Sequence, residues 1–368
     1  MRPPPALTML IRMSSSYQIA FPCSAASRRG WLSRCALWGA SLATVPWQAM
    51  ASPEKPRLTL VLDDRTSLSH LPLLLAEQLG FFKAEGLDLE FVEQASQPSA
   101  MTALMHGAAD VLCASYDTAL LLKQKSVDVV SVLQIARTPQ WVLGISNKNL
   151  PNFKTLADLR GKRIGIIDAE GSSQRCLWFS LLRSGVKPSQ INMVTLNSPM
   201  HAMVAMRGGN LDALFATDPL MTALEKKDDI ATVANFRTLK QTQRVFSGLL
   251  PGNCLIVSQA LVKQDPQTCQ ALVSAVVRAL KWLRTAGPSD LLRSMVDSPL
   301  LPDRLVYLNA IDNLRESFSL DGLLSPEAQQ VSLRMLSLLD PTLSTSPIAW
   351  QATVRNDFVR VAKQRFRV

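Results

Sequence analysis

One feature constrains the fold of this chain more than any other. Short apolar, β-rich runs alternate with amphipathic helical ones, and the whole alternation occurs twice. In the first pass residues 57–62, 87–92, 110–114 and 127–133 read as strands, and 71–79, 98–106 and 115–124 as helices. Gly80 and Gly107 close the first two helices. In the second pass 141–146, 163–167, 191–196, 211–216 and 230–234 read as strands, and 156–159, 173–184, 201–207 and 218–226 as helices. Strand–helix alternation of this kind predicts parallel sheets covered by helices on both faces. After a strand at 253–257 the rhythm changes to helices at 266–286, 289–296, 302–318 and 326–338, with a last one from about Trp350. This tail has no strands of its own, so its apolar stripes need another surface, and the first unit is the economical choice. The chain then crosses between units near 137–140 and near 249–253. The expected architecture is α/β: two doubly wound sheets joined by a two-stranded hinge, with a helical C-terminal extension. Residues 52–138 form the first lobe, 139–252 the second, and 253–368 return to the first. Such a pair of lobes leaves a cleft at the C-terminal ends of the strands, where ligands bind in open sheets.

Residues 1–51 have a different character. They contain Arg2, Arg12, Arg28, Arg29 and Arg34 and no acidic residue. Arg28-Arg29 precede a mildly apolar stretch at 35–47, and Ala49-Met50-Ala51 supplies the small residues of a signal-peptidase site. The segment resembles a twin-arginine export signal cleaved near Ala51, although Trp31 and Ser33 replace the usual residues, and Sec export stays open. Met13 is an alternative start. Periplasmic location follows from this reading. Without the five arginines the chain keeps 34 basic against 29 acidic residues, a net charge near +5. That charge is spread along the sequence, which argues against a nucleic-acid partner. Cys113, Cys176, Cys254 and Cys269 are widely spaced, without a Cys/His cluster, so no metal site and no cofactor is expected, and any disulfide is left unassigned.

The run GKRIGIIDAEGSSQ, residues 161–174, is a strand that enters a Gly-Ser loop and a helix. It lacks the Lys-Ser/Thr of a P-loop, the G-x-G-x-x-G of a dinucleotide site and the G-x-S-x-G of a hydrolase elbow. What remains at Gly171, Ser172 and Ser173 is a helix N-terminus with free N–H groups and two hydroxyls, suited to an oxyanion or to capping its own helix. Asp64, Arg65, Ser67 and His70 fall in the loop after the first strand, at the mouth of the inferred cleft. There Arg65 is a candidate to pair an anion, and His70 to donate to a ligand or to cap a helix. Ser115 and Tyr116 follow the third strand at the same level, Tyr116 as a stacking or hydrogen-bonding group. Asp218 either accepts from a ligand amine or caps the helix begun at Pro219. Phe81, Phe82, Trp178 and Phe179 read as core.

Five segments in register carry a family resemblance. They are LPLLLAEQLGFFKAEGLDLEF (71–91), LMHGAAD (104–110), DLRGKRIG (158–165), LDALFATDP (211–219) and DPQTCQALVSAVVRALKW (265–282). The chain resembles the nitrate/sulfonate/taurine solute-binding proteins, a family that also includes thiamine-precursor binders. The resemblance implies a periplasmic-binding-protein-like fold of type II. It also implies periplasmic capture of a small solute, as a monomer serving an ABC permease and ATPase in the inner membrane. Arg65 and the helix cradle tilt the ligand towards an anion such as a sulfonate or aromatic carboxylate, against which Asp64, Asp117 and Asp218 stand. Thiamine-pyrimidine-precursor binding, or a synthase-like enzyme on the same fold, is the alternative, but those enzymes carry a dense Cys-rich motif that the isolated cysteines here do not form. No catalytic residue is expected. A sensory ligand binder feeding a receptor is a third reading.

Overall fold

The computed structural model describes residues 57–94, 96–294, 304–341 and 349–368. The expected export signal, residues 1–51, lies outside them. In chain order the first half contains β1 (Arg57–Leu62), α1 (Leu71–Gln78), α2 (Phe81–Ala84), β2 (Asp88–Glu93), α3 (Gln97–Met105), β3 (Val111–Ser115), α4 (Asp117–Gln124) and β4 (Val129–Gln134). The second lobe contains β5 (Val142–Ser146), β6 (Arg163–Ile166), α5 (Ser172–Arg183), β7 (Asn192–Thr195), α6 (Pro199–Arg207), β8 (Ala213–Ala216), α7 (Leu220–Lys226), β9 (Ile230–Asn235) and α8 (Leu239–Phe246). The chain then returns through β10 (Asn253–Ser258) to α9 (Gln259–Gln264), α10 (Pro266–Thr285), α11 (Pro288–Arg293), α12 (Arg304–Leu314), α13 (Pro326–Leu339) and α14 (Asp357–Phe366). No helix among the described residues is long and apolar enough to cross a membrane.

The two five-stranded sheets have the same plan. Their orders are β2-β1-β3-β10-β4 and β7-β6-β8-β5-β9. In each, three parallel strands are followed by one antiparallel strand, β10 or β5. Each antiparallel strand is the first strand after a crossing between lobes, so the crossings themselves wedge a reversed strand into the partner sheet. The central strand β8 is buried along its length, because helices cover both faces.

The crossings run side by side. Gly252 N–H donates to Ala136 O at 2.9 Å, and Ile135 N–H to Asn253 O at 2.8 Å. A Cβ on Gly252 would stand 2.3 Å from Thr138 O, so only glycine permits this approach. A third segment lines the crossings, with Arg137 N–H donating to Ser317 O and Ser319 N–H to Ile135 O, both at 2.8 Å.

The tail departs from expectation. Helix α10 packs on α1, α2 and α14, but α12 packs on α7 and α13 on α5, both helices of the second lobe. Asn313 Nδ2 donates to Thr222 Oγ1 at 2.9 Å. The tail spans both lobes rather than covering the first alone, because the buried faces of α12 (Ile311, Leu314) and α13 (Val331, Met335, Leu336) find their apolar partners there. Helix α8 was not legible as a helix. It is mostly polar and buries only Thr242 and Phe246. Phe246 stacks on Phe179 at 5.0 Å and meets Phe236 edge-on at 5.1 Å.

Candidate functional site

The lobes enclose a cavity of about 510 Å³ whose wall includes Asp63, Asp64, Ser67, Glu93, Trp141 and Asp168. It continues into a floor pocket of about 40 Å³ that shares Asp63, Trp141 and Asp168 and adds Cys113, Ser115, Ser172, Ser173 and Asn253. Glu93 and Ser115 end parallel strands, and Asp63, Asp168 and Thr217 follow the C-terminal ends of others, the rim where open sheets bind ligands. Trp141 enters from the start of the reversed strand β5, its ring held by stacking on Phe215 at 5.6 Å. Two other hollows lie beside Trp350 and beside Arg334, the second reaching Gln134 at the end of β4.

The electrostatics of the cavity are acidic. Asp63, Asp64, Glu93 and Asp168 line it, and among the described residues no Lys or Arg does. Asp63 is held below its ordinary value. Crowding between the lobes works to raise it, but the charge and the 2.5 Å hydrogen bond of His70 outweigh that. Burial pushes Asp168 up, and the neighbouring charge of Asp63 adds to the shift. A cation placed between these carboxylates would relieve both effects.

The helix cradle exists, but it is occupied from across the cleft. Ser172 N–H donates to Gln97 Oε1 at 2.6 Å, and Ser172 Oγ donates to Asp117 Oδ1 at 2.9 Å. Arg175 Nε binds Asp117 Oδ2 at 2.6 Å, with 15% and 3% of the two side chains exposed. Gln97 and Asp117 belong to the first lobe, Ser172 and Arg175 to the second. The anion at this helix N-terminus is therefore the carboxylate of Asp117. Ser173 Oγ turns back to Asp168 O at 2.5 Å. Gly171 lets two side chains close over the loop, and its φ is not in the left-handed region. A Cβ there would meet Asp168 Oδ2 at 1.7 Å and Gln97 Oε1 at 2.9 Å.

The other sequence candidates divide. Ser67 and Ser115 line the cavity, and Ser67 Oγ lies 3.4 Å from Thr217 Oγ1 of the second lobe. Arg65 does not line it: its guanidinium pairs with Glu77 at 2.6 Å and covers the Phe91 ring at 4.8 Å. Tyr116 points into the first lobe, fully buried, its hydroxyl 2.6 Å from Thr353 Oγ1. The neighbouring helix α4 and the tail close over it, so it has no face for a ligand. His70 sits behind the wall, 2% exposed, and reaches the cavity only through Asp63 and Cys113. Asp218 caps α7 by accepting from Thr222 N–H at 2.8 Å and pairs with buried Arg237 at 3.1 Å. Its backbone carbonyl accepts from Leu68 N–H at 3.0 Å, which ties the lobes together. Sequence reasoning did not name Asp63, Glu93, Gln97, Trp141 or Asp168 as site residues. Asp63, Glu93 and Asp168 were marked by their place at the ends of the assigned strands; Gln97, at the start of α3, and Trp141, at the start of a strand, carried no such mark.

A family model described as NMT1/THI5 like matches residues 67–287. The chain belongs to that family. This NMT1/THI5-like chain is 32% identical to a Bordetella bronchiseptica RB50 protein of known structure, with a TM-score of 0.80 over 86% of this chain and 99% of that one. An alkanesulfonate-binding protein from Xanthomonas axonopodis pv. citri has a TM-score of 0.64 at 20% identity, over 82% of this chain and 99% of that one. The fold is that of type II periplasmic binding proteins. Among relatives by sequence, YtlA of Bacillus subtilis, named as a binding protein, is 22% identical over 70% of this chain and 76% of its own length. A 4-amino-5-hydroxymethyl-2-methylpyrimidine phosphate synthase of Saccharomyces cerevisiae is 23% identical over 68% of this chain and 74% of its own length.

Proposed function

We propose that this protein captures a small nitrogenous solute, cationic or rich in hydrogen-bond donors and of the aminopyrimidine class, and presents it to an ABC-type importer. The observation that carries the ligand class is the ring of Asp63, Asp64, Glu93 and Asp168 around the cavity, beside Trp141 and without a lining Lys or Arg among the described residues. The anion suggested by Arg65 and the cradle loses its support, since both are engaged within the protein. Exported location, a monomeric state, and a membrane permease and ATPase as partners belong to the same reading. Closure of the lobes would turn occupancy into a shape that the permease reads.

A synthase reading draws on the yeast relative. The two readings separate on the fate of the ligand. A thermal-shift screen of aminopyrimidines, other small bases, sulfonates and nitrate should single out a base. At a hundred times its Kd that base stabilises by about 2.7 kcal/mol. Mass spectrometry of the released ligand should show it unchanged. A converted product would favour the synthase, and stabilisation by a sulfonate alone would overturn the ligand class.

A further inference from the structure

Cys113 lies on the floor of the cleft, on β3, with its side chain against His70. Its Sγ is 3.3 Å from His70 Nδ1. The opposite ring nitrogen, Nε2, is 2.5 Å from Asp63 Oδ1. A thiol, an imidazole and a carboxylate in that order satisfy the geometry of an activated nucleophile: a base within hydrogen-bond reach of sulfur, and a third group that orients the base. Asn253 Nδ2 lies 3.4 Å from the same Nδ1, and Asp168 faces Asp63 from the second lobe. The triad opens into the pocket that continues into the ligand cavity, through the shared wall of Asp63, Trp141 and Asp168. Burial works against a charge on His70, but Cys113 and Asp63 outweigh it and hold its proton well above the ordinary histidine value. Cys113 is itself only 4% exposed, but its buried surface faces the pocket, which none of the other three cysteines lines. Burial pushes Cys176, Cys254 and Cys269 up, Cys269 to about 11, and none of them has a histidine partner among the described residues.

We propose that Cys113, His70 and Asp63 form a nucleophilic thiol site on the cleft floor that takes small electrophiles bearing a displaceable group on carbon. The thiol proton moves to His70 Nδ1. The sulfur pair then forms the S–C bond while the leaving group departs with its own bonding pair. Asp63 is a positioning residue that holds the imidazolium. An adduct on Cys113 occupies the floor of the cavity, so it also blocks the solute. The inference rests on the floor geometry and does not depend on which solute is carried.

Iodoacetamide is the probe, with the folded mature chain and peptide mass mapping as the readout. Here the C–I bond breaks and iodide leaves. The expected result is labelling at Cys113 alone, faster than N-acetylcysteine at pH 6.5. Cys176, Cys254 and Cys269 should react only after denaturation. His70→Gln should slow labelling by at least about tenfold, as loss of a catalytic base does. Asp63→Asn, at a half-exposed position, gives the same test in a variant whose core is untouched, with circular dichroism as the folding control. A Cys113 that stays unlabelled in the folded chain overturns the proposal. So does labelling that proceeds as fast in both variants as in the wild type.

Discussion

Asp117→Ala tests whether the contacts across the cleft govern closure. The carboxylate accepts from Ser172 Oγ at 2.9 Å and from Arg175 Nε at 2.6 Å, and both donors belong to the opposite lobe. A hydrogen bond to a charged group contributes about 1.5–3 kcal/mol. The two share one acceptor and one donor cluster, so their effects do not add, and the pair together contributes roughly that same amount. In the open form Arg175 regains water, so the loss falls on the closed form. At about 1.4 kcal/mol per factor of ten, the closed:open ratio should fall roughly 10- to 100-fold. Small-angle scattering of the ligand-free mature chain should show a larger radius of gyration for the variant. Once the closed form is the minority, calorimetric Kd for the solute should rise by a similar factor. Glu85→Ala, which breaks a pair with Arg365 inside the first lobe, serves as the control and should change neither. If Asp117→Ala leaves both compactness and affinity at the wild-type level, the contact does not couple the lobes and the reasoning fails.

Arg237→Met leaves Asp218 buried without its cation, since the two side chains are 3% and 0% exposed, and should cost about 3–5 kcal/mol in urea unfolding at pH 7. Burial already raises Asp218, and a raised acid stabilises the fold below its unfolded value and less as pH rises, so the deficit should shrink at pH 5. The His70–Asp63 pair works in two windows. The raised His70 contributes fully below about 6.5 and loses its contribution as pH climbs through its folded value, whereas the lowered Asp63 contributes above about 3.8 and loses it on acidification. Melting curves of Asp63→Asn should therefore show weaker pH dependence at both ends. Gly171→Ala forces Asp168 and Gln97 aside and should weaken solute binding in calorimetry while leaving the helix content of the circular dichroism spectrum unchanged.

The β–α rhythm was legible because strands covered on both faces read as short, mostly apolar runs rich in β-formers, as in residues 58–62 and 129–134. The level of each candidate was legible too, since a strand's C-terminal end marks the cleft rim. Direction was not. Arg65 and Tyr116 stand at the right height, but one folds back on Glu77 and Phe91 and the other turns inward to Thr353, partners distant in sequence. The polar N-terminus of α5 was visible as an anion site, while its occupant, Asp117, comes from a helix in the other lobe. The tail's amphipathic helices announced that they must be buried, but a hydrophobic stripe does not name its partner, and α12 and α13 found theirs in the second lobe. The pairing of Cys113 with His70 depends on β3 lying beside β1, which no local pattern encodes.

The ligand class is tested most directly by calorimetric titration of the mature chain with an aminopyrimidine and, separately, with an alkanesulfonate, repeated on Asp168→Asn. Asp168 faces Asp63 across the cavity, where burial and that second carboxylate outweigh the charge of Arg175 behind the wall. The account expects saturable one-to-one binding of the base, weakened in the variant, and no heat from the sulfonate. Tight binding of the sulfonate with none of the base, or base binding indifferent to Asp168, would contradict it.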